Sequence, residues 1–231
     1  MQVIFRLMLF FILLSLLSCF TDQAANNDSA NTTNHEMADA CNLIKTGDLI
    51  LRTGADYSSE HIRQFSRQDK TYSHAGIAQI DSGRIFVYHI EPAAHGKDNM
   101  VRKELLDSFC KQSSNLGFGI ARYQMNKDEM LRFIQYMEKQ YLNNVSFDMD
   151  FDLATDDKMY CSEMIKKALH QATNGKVCIE TDPLNSKMHY KLIRKYFGKN
   201  ESEVANKDVV AIDRLFLNQH CKIVRQYSYN K

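Results

Sequence analysis

The sequence predicts an α+β fold in which an antiparallel β-sheet or small barrel packs against a helix carrying a single cysteine. Two stretches predict it. Tyr72 to Ile80 reads as a buried strand that runs into the turn Asp81-Ser82-Gly83, and Ile85 to Glu91 follows as a second strand of a hairpin. In the second strand Phe86, Tyr88 and Ile90 share one face while Val87, His89 and Glu91 share the other. Lys158 to Ile165 then leads into an amphipathic helix from about 160 to 172. Met164, Ile165, Ala168 and Leu169 recur there at helical spacing, with Lys166 and Lys167 facing away.

From the start of the chain, Met1 to Ser18 carries one charge, Arg6, and an apolar run from Leu7 to Leu17, the composition of a signal peptide. It ends in Leu16-Leu17-Ser18-Cys19, which resembles a bacterial lipobox, so cleavage before Cys19 and acylation of its thiol are expected. Residues 19–40 are dominated by Asn, Asp, Ser, Thr and Ala and read as a flexible tether. A single domain is expected over 41–231. Its first strand spans about 48 to 53 after the turn Thr46-Gly47, with Asp48 capping or orienting nearby backbone. Ser58 to Arg67 is expected to be helical, capped by Ser58 or Ser59, with Ile62 and Phe65 inward. Lys103 to Lys111 suggests a short helix burying Leu105, Leu106 and Phe109, and Gly117 to Tyr123 a strand. Lys127 to Leu142 is a helix with Met130, Leu131, Ile134, Met137 and Tyr141 on one side. The alternating aspartates from Ser146 to Asp152 suggest a solvated strand face or a surface for a substrate amine. Without the glycine and terminal glutamate of a calcium loop, they give little reason to expect a metal. Val209 to Ile212 and Cys221 to Val224 read as strands of an elaboration on the core.

The chemistry centres on Cys161. At a helix start, unpaired backbone N–H groups and the helix dipole favour thiolate, which is what a nucleophile requires. A base is needed to hold its proton, and His74 on the first hairpin strand is the candidate. The second strand would bring a polar partner, His89 or Glu91, beside it.

Gly47-Asp48-Leu49-Ile50, Ser73-His74-Ala75-Gly76-Ile77, His89-Ile90-Glu91-Pro92-Ala93 and Tyr160-Cys161-Ser162-Glu163 together resemble the circularly permuted papain-like amidases of the YiiX/YaeF type. These are relatives of the NlpC-type cell-wall peptidases and of lecithin:retinol acyltransferase. The resemblance covers about 45 to 170 and implies a permuted papain-like fold, in which histidine, polar residue and cysteine come in that order. It implies Cys161 as nucleophile, His74 as base and Glu91 as third member, with His89 the alternative. Glu91 is preferred because Glu91-Pro92-Ala93 aligns with the family's Glu-Ala pattern. Tyr160 and Ser162, flanking the nucleophile, are expected to meet the oxyanion or the substrate. His61, His95 and His189 have no comparable setting.

The expected activity is hydrolysis of amide bonds in envelope peptides or isopeptides by a membrane-anchored lipoprotein, on the periplasmic side or the outer membrane. A lipid-directed hydrolase or acyltransferase with the same triad is one alternative, and an inactive envelope binding module another. A net charge of +1 with interspersed charges, and no basic stripe, give no sign of a nucleic-acid partner. No cofactor is expected, and no Cys/His cluster has zinc-ligand spacing. Of six cysteines, Cys41, Cys110, Cys178 and Cys221 remain once Cys19 and Cys161 are assigned, and they leave three pairings open or four free thiols.

Overall fold

The computed structural model describes residues 35–92, 99–184, 193–194, 198–204 and 207–229. The signal peptide, Cys19, most of the tether, Ala93, His95 and His189 lie outside these residues.

A helix, α1 (35–43), opens the described chain and buries Ala40, so folded structure begins inside the segment expected to be tether. The strands β1 (Leu49–Gly54), β2 (His74–Asp81), β3 (Arg84–His89), β4 (Arg102–Leu105), β5 (Asn115–Tyr123) and β10 (Cys221–Ser228) form one sheet in the order β10-β5-β1-β2-β3-β4. Every neighbouring pair in it is antiparallel. The β2–β3 hairpin closes through Ser82 (φ 50°) and Gly83 (φ 76°), consecutive left-handed residues of the kind that match hairpin twist.

Elsewhere α2 (Tyr57–Ile62) is capped by Asp56, which accepts from Ser59 N–H, so Ser59 is inside the cap and not the cap itself. Arg102–Leu105 is a strand where a helix was expected, which leaves Leu105 40% exposed. Only the single turn α3 (Leu106–Phe109) is helical there, and it buries Leu106 and Phe109. The helix α4 (Lys127–Leu142) has the expected bounds, with a capping box between Asn126 and Glu129. Its inward stripe is Phe133, Ile134 and Met137, rotated from the expected one, and Leu131 and Tyr141 are exposed. The alternating acidic stretch yields only β6 (Ser146–Phe147), parallel to β7 (Lys158–Met159). Asp148 turns inward and accepts from the backbone of Asp150 and Asp152. After α5 (Cys161–Ala172) come the pair β8 (Asp182–Pro183) and β9 (Asp208–Val209), with α6 (Glu201–Val204) between them, then α7 (Ile212–Phe216). The final strand, β10, joins the main sheet instead of standing apart from it.

The sheet divides the core in two. One face carries Leu49, Leu51, Ala75, Ile77, Tyr88 and Ile90 against α4 and α5, where Met164, Ile165, Ala168 and Leu169 are fully buried. Burial of each large side chain contributes roughly 1.5–3 kcal/mol, so this seam fixes α5 on the sheet. The other face carries Ile50, Ala78, Val87 and Ile120 against Ala40, Leu106, Phe109 and Tyr227. Asp48 has the structural role expected of it: it accepts from Lys45 N–H and pairs with Arg122 at 2.6 Å, tying β1 to β5.

One glycine lets β3 lie close to β2. A Cβ at Gly76 would fall 2.4 Å from Val87 Cγ1, 2.8 Å from the Tyr88 carbonyl oxygen and 3.1 Å from His89 Cβ. Gly76→Ala is expected to cost about 1–3 kcal/mol in urea unfolding, because the obstruction includes backbone that cannot rotate away. Unchanged stability would show that the two strands separate freely.

Candidate active site

The sheet and α5 bring the expected residues to one end of β2. Cys161 is the first residue of α5 and is 9% exposed. Its sulfur accepts hydrogen bonds from the backbone N–H groups of Ala75 and Ser162. The β2–β3 partner pairs begin at Ile77 opposite Tyr88, so the Ala75 N–H lies past the end of that ladder. The sulfur is thereby held one residue along the chain from His74.

His74 is nearly buried and His89 fully so. His74 Nε2 and His89 Nδ1 are 3.0 Å apart, and His89 Nε2 lies 3.0 Å from Glu104 Oε2. Phe109 packs against both rings, at 5.6 Å from His74 and 4.9 Å from His89, and also carries the Arg52 guanidinium at 4.8 Å. Glu91 is held elsewhere. Its Oε2 pairs with Arg52, and its Oε1 accepts from Arg102 at 2.8 Å. Of the two residues expected to compete for the His74 ring, His89 makes the hydrogen bond.

Tyr160 and Ser162, expected to face substrate, are buried and both bind the main chain of Val210. The Val210 N–H donates to Tyr160 Oη at 2.9 Å, and Ser162 Oγ donates to the Val210 carbonyl at 2.6 Å. They clamp the first turn of α5 to the C-terminal segment. Glu163, fully buried, accepts from the Tyr160 N–H at 3.2 Å and pairs with Lys167 at 2.9 Å. Burial pushes its carboxyl up to about 7, against the opposing pull of Lys167.

The electrostatics differ from the sequence expectation. Burial pushes the Cys161 thiol up to about 11; the Ala75 and Ser162 N–H groups oppose this, and nearby Glu91 adds to it. Burial also holds His74 well below its usual value, aided by Arg52, His89 and Arg102. The resting site is therefore a neutral thiol beside a neutral imidazole. Desolvation outweighs the helix terminus.

Among the described residues, one group has ligand atoms close enough to hold a metal, His74, His89 and Glu91, all within 4.8 Å of one another. Both Glu91 oxygens are taken by guanidinium groups, and two arginines place positive charge beside the imidazoles. That setting does not fit a resident cation. The five described cysteines, Cys41, Cys110, Cys161, Cys178 and Cys221, are free thiols. His61 is a half-buried residue on α2 that bonds the Tyr57 carbonyl of its own helix. Sequence reasoning missed Arg52, Arg102, Glu104 and Phe109, because three of them sit on or beside β4 and Arg52 stands opposite His74 in the ladder, a register no local pattern announces.

A histidine followed by a polar strand and only later by a cysteine at a helix start is the permuted papain-like order. The family model described as permuted papain-like amidase enzyme, YaeF/YiiX, C92 family, matches residues 43–211. The chain belongs to this family. As a permuted papain-like amidase it is a cysteine hydrolase acting on amide bonds. Among solved structures, the metalloprotein YiiX of Escherichia coli O157:H7 matches with a TM-score of 0.63 and 18% identity, covering 80% of this chain and 98% of that one. That likeness shows the shared fold. No curated protein matches the chain.

For this permuted papain-like amidase, iodoacetamide labelling of Cys161 is expected to stay slow at pH 7 to 8 and still be climbing above pH 9, read by mass spectrometry at each cysteine. Labelling that saturates below pH 7 would mean that the thiolate forms in spite of its burial.

Proposed function

We propose that the chain hydrolyses amide bonds of cell-envelope peptides, including isopeptides, through an acyl-enzyme on Cys161, with His74 as base and His89 as third member of the triad. The observation that supports this best is the hydrogen bond between His74 Nε2 and His89 Nδ1, with the Cys161 sulfur bound to the adjacent Ala75 N–H. Glu91, held between Arg52 and Arg102, then does not orient the base.

Because both partners rest neutral, the proton moves when substrate arrives. His74 takes it from the thiol as the sulfur attacks the carbonyl carbon. The carbonyl oxygen gains charge at the start of α5, where backbone N–H groups lack intrahelical partners and can bind an oxyanion. His74 returns the proton to the leaving amine, and water activated by the same imidazole releases the acyl group. The envelope assignment rests on the signal-like residues 1–18 and the lipobox-like end at Cys19, which would tether the enzyme to a membrane.

With synthetic wall peptides as substrates, Cys161→Ala and His74→Ala are each expected to reduce kcat by about 10³-fold or more while the protein stays folded. Turnover surviving Cys161→Ala would end the proposal. The Cys19→Ser protein is expected to leave the membrane fraction on cell lysis without losing peptidase activity. Retention in the membrane fraction would refute the tether alone.

A further inference from the structure

Behind the imidazole pair stands a carboxylate outside the triad. Glu104 lies on β4 opposite Val87, which puts it diagonally across from His89, whose own partner is Arg102. Its Oε2 is 3.0 Å from His89 Nε2, and its side chain is 35% exposed while the ring it touches is fully buried. The hydrogen bond to His89 holds the Glu104 carboxyl below its ordinary value, so it is ionised at neutral pH.

An ionised carboxylate can only accept hydrogen bonds, and this fixes the protons along the chain of contacts. His89 Nε2 must carry its proton to donate to Glu104. A neutral imidazole that donates through Nε2 has Nδ1 as a bare acceptor. His74 Nε2, 3.0 Å away, must in turn be the donor, which leaves His74 Nδ1 bare. A neutral imidazole with the opposite tautomer would present N–H at Nδ1 and could not take a proton there.

We propose that Glu104 is a positioning residue for the reaction, accepting from His89 Nε2 and so setting both imidazoles in the tautomer that leaves His74 Nδ1 free to take the Cys161 proton. This rests on the Cys161, His74 and His89 assignment. In the step itself the S–H bond breaks, the sulfur's electron pair forms the bond to the carbonyl carbon, and an N–H bond forms at His74 Nδ1. The resulting imidazolium still donates through Nε2 to His89, whose Nε2–H still donates to Glu104, so the positive charge faces a fixed negative one at the end of the chain. The other charges around the pair are the Arg52 guanidinium from β1, Arg102 from β4 and Glu91. Arg52 and Glu91 neutralise each other in part, which leaves Glu104 as the carboxylate in contact with the imidazoles. The same short segment carries Phe109, whose ring packs on both histidines, so β4 and α3 act together as the backing of the base.

Imidazole nitrogen-15 spectra read the tautomers directly. In the wild type at pH 7.5, both His74 and His89 are expected to carry their proton on Nε2. In Glu104→Leu, which has no acceptor, His89 is expected to shift towards the Nδ1–H form and kcat to fall about 10- to 100-fold, with KM within twofold. Glu104→Gln, whose amide oxygen can still accept from Nε2–H, is expected to keep the wild-type tautomers and recover most of the turnover. A wild-type spectrum with the proton on His89 Nδ1 overturns the proposal, even if Glu104→Leu fails to fold. Glu104→Leu turning over at the wild-type rate also overturns it. Because the spectra do not depend on turnover, they judge the tautomer separately from the triad, which stands or falls on Cys161→Ala.

Discussion

The hydrogen bond between two buried imidazoles sets the terms for everything around it. A polar pair withdrawn from water must find all its partners inside the protein, since an unmade hydrogen bond there costs more than a made one contributes. Gly76 lets β3 come close enough for the rings to meet, Phe109 walls them from solvent, and the inner end of the sheet places the thiol past the last rung of the ladder. Each of these features is explained by the need to hold two rings at 3.0 Å in a dry setting.

That dryness also decides the state in which the enzyme waits. A helix start favours thiolate, and the Ala75 and Ser162 N–H groups do pull that way, but the desolvation of an almost fully buried sulfur is larger. The same burial, with two guanidinium groups nearby, keeps His74 uncharged. Such a site does not carry a standing thiolate–imidazolium pair. In the proposed mechanism it develops charge only while a carbonyl is present to absorb it, and an unengaged thiol is the less reactive form towards oxidants and alkylating agents.

Much of the scaffold was legible in the sequence. The hairpin turn, the apolar stripe of α5 and the bounds of α4 follow from strong local periodicity and capping residues, and all three are where those signals put them. What failed was long-range. Arg102–Leu105 has too few apolar residues to declare a strand, and its register against β3 follows from no local pattern. Its contribution to the site was invisible for that reason. The choice between His89 and Glu91 had the same cause: both lie on one face of the second hairpin strand, and it is Arg52 from β1 and Arg102 from β4 that draw the carboxylate away. Tyr160 and Ser162 stand next to Cys161 in the sequence, whereas their partner, Val210, comes from much later in the chain.

The permuted order has a consequence for how the molecule comes into being. His74 and His89 are only 15 residues apart and joined by a tight turn, so their pairing closes a small loop and is entropically cheap. The sulfur arrives from a distant helix that stays in place only once its apolar face has found the sheet and Val210 has closed over its first turn. The imidazole pair therefore closes through local structure, whereas the sulfur joins it only through long-range contacts. Loosening α5 from the sheet would separate the thiol from the imidazoles while leaving the hairpin that pairs them intact.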